Sequence, residues 1–259
     1  MPLEVTKSAD LTNKLNDLAG KSKLSEFEIR HFRREVEQLK SVNAAEYYML
    51  NGMLSSVLGD FENSRDNHEK ALKLSRDHVD LINYGLSMRR LGHMSTSLDL
   101  MLQSFELVPN SEDTFNEVCL SMILHGDFSS FDSALERIKR ANPSVDLSSV
   151  PHYVNLLHIR ECLAVCEIDE SELTIVFGVL SDVLDSYALS VEDLDVNTST
   201  FDSVRHVSVF VKVTCAEPRD LLKINEELAD RIISLDDLEC WDRLVLNAVN
   251  YTARQNAVA

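Results

Sequence analysis

The chain has 259 residues, of which 44% are hydrophobic and 26% are charged, with only seven glycines and five prolines. This composition is typical of a soluble protein with a substantial core, and it favours helices over an all-β fold. The formal net charge of −18 disfavours nucleic acid as a ligand, because most of the surface would repel a phosphate backbone, whereas a basic protein partner is easy to accommodate.

The sequence predicts neither a secretory signal nor a membrane span. MPLEVTKSADL, at the start, has no apolar run behind a basic segment, and no stretch approaches the roughly 18 uncharged apolar residues of a span. The five cysteines, at positions 119, 162, 166, 215 and 240, are scattered and do not resemble a disulfide framework. We therefore expect a cytoplasmic protein that contacts no membrane.

Residues 1–42 contain two helical patterns. Leu11, Leu15 and Leu18 fall on one face of the first pattern. SEFEIRHFRREVEQLKS, at 25–41, has an apolar stripe of its own, and Ser25 is a candidate N-cap. We predict that these N-terminal helices lead into a helical array, either as a degenerate repeat or as helices that cap it.

Three glycines recur at spacings of 33 and 34 residues, namely Gly59, Gly92 and Gly126. Other positions recur at fixed distances from them, and in the first two repeats these hold small residues: Gly52, Gly85 and Cys119 precede the glycines by seven residues, and Ser64, Ser97 and Phe131 follow by five. Such a period is typical of stacked helix pairs, in which the glycine lies in the turn and small residues lie where helices cross closely.

Over residues 45–143 this pattern resembles the tetratricopeptide repeat, which has small residues at the helix crossings, a glycine in the turn and a proline after the second helix. The resemblance implies successive antiparallel helix pairs within residues 43–150. It is weaker in the third repeat, where Cys119, Phe131 and Ile138 replace smaller residues. These larger side chains predict a wider helix angle or the end of the regular array.

Beyond residue 150 the period is lost. YVNLLHIRECLAVCEI and SELTIVFGVLSDVLDSYA predict two more helices, and HVSVFVKV (206–213) and RLVLNAVNY (243–251) predict strands joined by a helix that begins near Pro218. VEDLDVNTSTFDS is either a loop or a hairpin partner of the first strand. The predicted fold is mainly α: a helical-hairpin solenoid similar to tetratricopeptide repeats, followed in residues 151–259 by helices and a small α+β unit.

The resemblance also implies where a ligand binds, because this family usually presents the first helix of each pair to it. Methionines adapt to varied apolar partners and an arginine pair binds carboxylates, so the groove suits a peptide with apolar anchors and an acidic group. In the alternative interpretation, N-terminal or C-terminal helices already fill this groove. The residues predicted to contact a protein or peptide partner are Met49, Met53, Ile82, Asn83, Leu86, Arg89, Arg90, Asn116 and Leu120.

One known ligand of the family is excluded. The clamp that grips the C-terminal carboxylate of heat-shock chaperones uses lysine, asparagine and arginine, but the matching places here carry Met49, Met53, Asn83, Asp113 and Glu117. Only the asparagine fits, and two acids stand where basic residues belong.

The segment between Arg160 and Arg205 contains no lysine or arginine, but it contains eleven aspartates and glutamates. Its negative field would steer or neutralise a basic partner, unless the segment is only a solvated, solubilising face. The segment lacks the glycine and the glutamate spacing of a calcium-binding loop.

Sequence motifs predict no catalytic residues, no metal and no cofactor. His158, Cys162 and Cys166 lie on one helical face, but about 12 Å separates the outer two, so we interpret them as core residues. No catalytic, phosphate-binding or dinucleotide-binding motif occurs. The single tryptophan, Trp241, is interpreted as a core or interface anchor.

We therefore expect a non-enzymatic protein–protein interaction module, such as an adaptor, scaffold or chaperone-like protein, that binds a polypeptide in its groove. The alternative is an acidic inhibitor, antitoxin or immunity protein that masks a basic effector. A third hypothesis is an enzyme with an unrecognised site in the C-terminal unit. The edges of the C-terminal strands leave homodimerisation through sheet pairing open.

Overall fold

The computed structural model describes residues 10–15, 17, 18, 24–187, 189, 191–202, 204–213, 218–236 and 238–250. These residues are mainly helical, with a three-stranded sheet near the C-terminal end, as predicted. The chain divides into two compact units, Met1–Val108 (unit 1) and Pro109–Ala259 (unit 2). The division falls within the region in which the sequence predicts repeats.

Unit 1 consists of helices that form hairpins. They are α1, which is helical at residues 10–15, 17 and 18, α2 (Glu26–Glu37), α3 (Ala44–Val57), α4 (Phe61–Leu74), α5 (His78–Arg90) and α6 (Met94–Leu107). Helix α3 packs against α4, α5 packs against α6, and α5 also packs against both α3 and α4. Unit 1 is therefore built from two adjacent helical hairpins, an arrangement that is compatible with structural repeats.

The predicted turn glycines lie between helices and adopt the left-handed conformation that favours glycine. Gly59 and Gly92 have φ angles of 73° and 84° in unit 1, and Gly126 has a φ angle of 71° in unit 2. The next helix is then capped locally: the Asp60 side chain accepts a hydrogen bond from Asn63 N, at the start of α4. The 33- to 34-residue period therefore reflects repeated helix–turn–helix geometry.

Small residues mark the helix crossings of unit 1, as predicted. Ser64 Oγ donates a hydrogen bond to Gly52 O over 2.9 Å, which joins α4 to α3. At the matching place in the second hairpin, a Cβ atom on Gly85 would lie 2.8 Å from Met101 Cε. Both hairpins therefore pack more closely than larger residues would permit.

The N-terminal helices share one hydrophobic cluster with the first hairpin. Phe32 and Val36 of α2 are buried, and Ser25 caps α2 together with Glu28, as the sequence predicts. The buried members of this cluster are Leu11, Leu15, Leu18, Phe32, Val36, Leu39, Met49, Leu50, Met53, Leu54 and Ala71. Unit 1 thus has a core that joins α1 and α2 to α3.

Unit 2 combines helices with the sheet. Its elements are α7 (Glu112–His125), α8 (Phe131–Ala141), a 3₁₀ turn (Leu147–Ser149), α9 (Pro151–Val165), α10 (Glu170–Ser186), β1 (Val191–Phe201), β2 (Val204–Val213), α11 (Pro218–Ile233) and β3 (Leu244–Asn250). Cys119, Phe131 and Ile138 are all buried in the α7–α8 hairpin. Helix α7 also packs against α9 and α10, so its surroundings differ from those of the first helices in unit 1.

The sheet has the order β1–β2–β3. Strands β1 and β2 are antiparallel, with Val196 opposite Val209, so VEDLDVNTSTFDS supplies the hairpin partner rather than a loop. Strands β2 and β3 are parallel, with Val209 opposite Leu246, and α11 connects them, as the strand–helix–strand prediction requires. Cys215 and Tyr251, which belong to the sequence predictions, lie outside the described residues.

One face of the sheet is buried against the helices of unit 2. Val207 and Val209 line the same apolar interior as Ile159, Leu163 and Phe177. At the end of α9, Arg243 Nη1 donates hydrogen bonds to the carbonyls of Cys166 and Glu167, over 3.0 and 2.9 Å. These contacts satisfy main-chain groups at a helix terminus and hold the start of β3 beside it.

Candidate functional site

One side of α5 is only partly buried, and it carries most of the residues that the sequence predicts as partner contacts. We call it the α5 stripe. Its members follow the spacing i, i+3, i+4, i+7, i+10 and i+11, so they lie on one face of the helix. Val79 is 47% exposed, Arg90 is exposed, and the others are partly exposed. The α5 stripe consists of Val79, Ile82, Asn83, Leu86, Arg89 and Arg90.

Two side-chain contacts fix the α5 stripe beside α3. Asn83 Nδ2 donates to Met49 Sδ over 3.1 Å, and Arg90 Nη1 donates to Ser56 Oγ over 3.3 Å. Both contacts join residues 34 positions apart, one more than the 33 residues between Gly59 and Gly92, the turn glycines of the two hairpins. The repeat therefore sets the register between the first helices of the two hairpins.

The two predicted methionine contacts lie in the core of unit 1. Met49 and Met53 are each only 7% exposed, and they belong to the cluster that includes Leu11 and Leu15 of α1. Their flexible side chains fill space within this cluster. In this conformation the two methionines leave little surface for a partner. The predicted contacts of unit 1 that do have exposed surface are the residues of α5.

Asn116 and Leu120, the remaining predicted contacts, lie on α7 in unit 2. Asn116 Oδ1 accepts a hydrogen bond of 2.9 Å from His152 N in the first turn of α9. It therefore caps a neighbouring helix, whose first main-chain N–H groups have no partner within the helix. Leu120 is partly exposed. The structure thus gives Asn116 a structural contact that the sequence analysis did not anticipate.

The buried side of α5 is anchored by a neutral histidine from α4. The His68 ring stacks on Tyr84 with its centroid 4.8 Å away, and His68 Nε2 lies 2.9 Å from Ser87 Oγ. Burial lowers the pKa of His68 to about 3, so the ring is uncharged at neutral pH. Burial also raises the pKa of Asp80, in the first turn of α5. These groups position the helix and lie beneath the α5 stripe.

A separate open crevice of about 540 Å³ lies among α4, α5 and α6. Its charges are mixed, because Glu69 and Glu106 oppose Lys73 and Arg76. The sequence analysis did not predict it, since its residues come from three helices and share no local pattern. Its lining residues are Glu69, Leu72, Lys73, Arg76, Leu81, Gln103, Glu106 and Leu107.

The negative charge is concentrated in unit 2. Residues 109–259 contain 11 lysines and arginines against 27 aspartates and glutamates, a net charge of −16, whereas residues 1–108 contain 14 against 16, a net charge of −2. Part of the acidic segment has structural contacts: Glu172 and Asp169 form the capping box of α10, and Glu170 pairs with Arg160. The two units therefore present different electrostatic surfaces to a partner.

The cysteines that the structure describes are buried thiols. Cys162 Sγ lies 3.6 Å from His158 Nε2, but nowhere in the described parts of the chain do three His, Cys, Asp or Glu side chains form a group that could hold a metal ion. Burial raises the pKa of Cys119 and of Cys240 to about 12. These thiols are protonated at neutral pH, which makes them poor nucleophiles and metal ligands.

The sequence analysis did not predict the exposure of several apolar side chains. Val79 continues the helical spacing of Ile82 and Leu86, so periodicity alone could have found it. Trp241 is 59% exposed and Phe201, at the end of β1, is 71% exposed. For these two, no local pattern distinguishes exposure from burial. Because Trp241 is exposed, it is not a core residue. Its other interpretation, as an interface anchor, stays a prediction.

Across the part of the chain that the structure describes, no helix has the length and the apolar character to cross a membrane. Comparisons with protein-family models, with curated proteins and with solved structures found no match for this chain.

Proposed function

We propose that the chain is a non-enzymatic protein-interaction module whose α5 stripe binds a segment of a partner polypeptide. The observation that carries this proposal is the composition of the stripe. It contains three apolar side chains and one amide, and two arginines follow them at the C-terminal end of α5. Such a surface suits a helical or extended segment that has apolar anchors and a carboxylate near one end.

The resemblance to tetratricopeptide repeats supports the proposal. Members of that family usually bind ligands on the first helix of each pair, and α5 is the first helix of the second hairpin. The left-handed turn glycines and the close crossing of Ser64 with Gly52 agree with the family pattern. In this role the chain would act as an adaptor, scaffold or chaperone-like protein of the cytoplasm.

Charge reversal on the α5 stripe tests the proposal. We expect the double substitution Arg89→Glu and Arg90→Glu to reduce partner capture from native lysate about tenfold, because it repels a carboxylate and removes no apolar side chain from the core. It also removes the contact of Arg90 with Ser56, so Arg89→Glu alone, which keeps that contact, should still reduce capture. Leu86→Ala, which removes a partly exposed apolar side chain, should cause a smaller loss. Quantitative mass spectrometry of the captured proteins measures these effects.

The chain offers a matched control in Arg33→Glu with Arg34→Glu, an exposed arginine pair on α2 in the same unit. This control should retain the partner. If the two double variants capture the same proteins in the same amounts, and both keep the helical circular dichroism of the unmodified chain, the α5 stripe is not the binding surface.

The charge of unit 2 favours a second candidate, an acidic inhibitor that masks a basic effector such as a toxin or nuclease. The supporting observation is the net charge of −16 on residues 109–259. Attraction of this kind is screened by salt. A complex that survives about 1 M salt would therefore argue against mainly electrostatic capture.

A further inference from the structure

The sheet of unit 2 has two edge strands, and in the described residues a side chain closes the edge of β3 at Ala248. Val207 N donates to Arg243 O over 2.8 Å, so the main-chain groups of Arg243 face β2. Main-chain groups of successive residues in a strand point to alternate sides, so the N–H and C=O of Ala248, five residues later, point away from β2. Asn225 of α11 occupies these outward groups: its Nδ2 donates to Ala248 O over 2.9 Å, and its Oδ1 accepts from Ala248 N over 2.7 Å. A new strand could not use them without displacing Asn225.

The other edge belongs to β1 and is open from Asp195 onward; before that point, Leu194 N donates to Asp193 Oδ1 over 2.9 Å. Strand β1 pairs with β2 from Val191 to Phe201, and no other strand of the described residues pairs with it. Every residue from Asn197 to Phe201 is exposed, and since successive residues point to opposite faces, both faces of this half are in solvent. The strand has 11 residues and is about 35 Å long, and its open part, residues 195–201, is about 23 Å long.

Strand β1 has one feature that discourages strand addition, a register irregularity between Val191 and Asp193, but this lies at its start and leaves the later residues regular. Its sequence, VEDLDVNTSTF, contains neither proline nor lysine. Its charged residues are acids instead. Asp193 and Asp195 lie 2.8 and 2.9 Å from Lys212 Nζ, so one ammonium faces two carboxylates and the cluster retains a net negative charge. The edge is therefore available to a strand of suitable charge.

The charge of the edge identifies its occupant. A second copy of this chain would bring another acidic strand and a second unit of net charge −16 to the same place. Like charges on adjacent strands are destabilising, whereas opposite charges across a strand pair are favourable. A segment rich in lysine or arginine would meet the free carboxylate charge and the negative field of the whole unit.

We infer that the free edge of β1 binds an extended, basic segment of a partner protein as a fourth strand of the sheet. Main-chain hydrogen bonds supply affinity in this mode, and the side chains of alternate residues supply specificity. Basic side chains of the added strand contact Asp193 and Asp195 on the outer face of the sheet. This surface lies in unit 2, and its use does not depend on the α5 stripe.

A synthetic ten-residue peptide of alternating lysine and threonine tests the inference on the full chain. We expect it to bind, measured by fluorescence anisotropy, and to slow amide hydrogen exchange in residues 195–201. Two matched peptides separate strand pairing from charge. One carries N-methyl groups on alternate amides and cannot pair fully, and the other has glutamate in place of lysine. Both should bind at least about tenfold more weakly, a difference of about 1.4 kcal/mol.

Substitutions locate the site. Asp193→Asn with Asp195→Asn should weaken binding of the lysine–threonine peptide about three- to tenfold, because exposed charge pairs contribute modestly. Glu226→Gln with Asp230→Asn, an exposed acidic pair on α11, removes the same charge from the same unit and should change binding by less than about twofold. Arg89→Glu with Arg90→Glu should leave binding unchanged, so this test can fail independently of the proposed function.

Four outcomes would overturn the inference. In the first, the peptide does not bind; in the second, the N-methylated peptide binds equally well; in the third, protection from exchange appears outside β1. In the fourth, no peptide is needed: protection of β1 rises with protein concentration alone and a dimer forms, which would mean that a second copy of the chain is the occupant.

Discussion

His68 lies where three helices of unit 1 meet, and its environment explains why a glycine stands at position 52. The ring stacks on Tyr84 of α5 and is 1% exposed. A Cβ atom on Gly52 of α3 would lie 2.6 Å from His68 Cδ2 and 2.8 Å from His68 Nε2. Because the ring is packed on its other side, it has no room to move away. The absence of a side chain at position 52 therefore lets α3 approach α4 closely while His68 stacks on α5 of the second hairpin.

Gly52→Ala should destabilise unit 1 by about 1–3 kcal/mol, since overpacking outweighs the roughly 1 kcal/mol that alanine gains in a helix. Gly178, on α10, is the matched control: a Cβ there would have no neighbour within 4 Å. Gly178→Ala should be neutral or stabilise unit 2 by up to about 1 kcal/mol. Hydrogen exchange of α3 and α10 under native conditions measures both changes. Equal effects of the two substitutions would contradict this account.

Side-chain contacts between elements decide which surfaces remain open. In unit 1, contacts 34 residues apart hold α5 beside α3 and leave the α5 stripe partly exposed. In unit 2, Asn116 caps α9, and the carboxylate of Glu172 accepts hydrogen bonds from the main chain of Glu239 and Cys240. The sequence shows Glu172 only as one of eleven acids. Its role in holding the segment before β3 depends on residues that are 67 and 68 positions away.

Asn225→Ala should open the edge of β3. The substitution leaves the main-chain N–H and C=O of Ala248 without their partner, at a cost of about 1–3 kcal/mol, and exchange of the Ala248 amide should accelerate. Asn197→Ala, on the exposed part of β1, should change the stability of unit 2 by less than about 0.5 kcal/mol. Unchanged exchange at Ala248 in the Asn225 variant would show that the amide contact does not protect this edge.

At the scale of the whole molecule, the chain joins a nearly neutral unit to a strongly acidic one. The resulting difference, −2 against −16, means that partners of different charge suit the two units. The α5 stripe ends in two arginines and suits an acidic group, whereas the sheet of unit 2 suits a basic segment. A chain with both surfaces could hold two partners of opposite character, as an adaptor does.

Salt should affect the two units differently. Raising the ionic strength from about 0.01 M to about 0.15 M shortens the screening length from about 30 to about 8 Å, which weakens repulsion among the excess acids. We expect the midpoint of thermal unfolding to rise by about 2–4 °C for unit 2 and by less for unit 1. Hydrogen exchange during heating reports each unit separately. A larger rise for unit 1 would contradict a charge-based explanation.

The sequence by itself determined the helical hairpins and the strands β2 and β3, because the patterns that predict them involve only residues close together in the chain. The period of Gly59 and Gly92 predicts the turns, and alternation in residues 206–213 predicts β2, since both depend only on neighbouring residues and backbone geometry. Only the tertiary structure decided which predicted contacts remain accessible. Met49 is buried and Asn116 caps a helix because segments distant in sequence cover them, and no helical or strand period encodes that coverage. The pairing of β1 and the closure of the β3 edge likewise depend on where β2 and α11 come to lie.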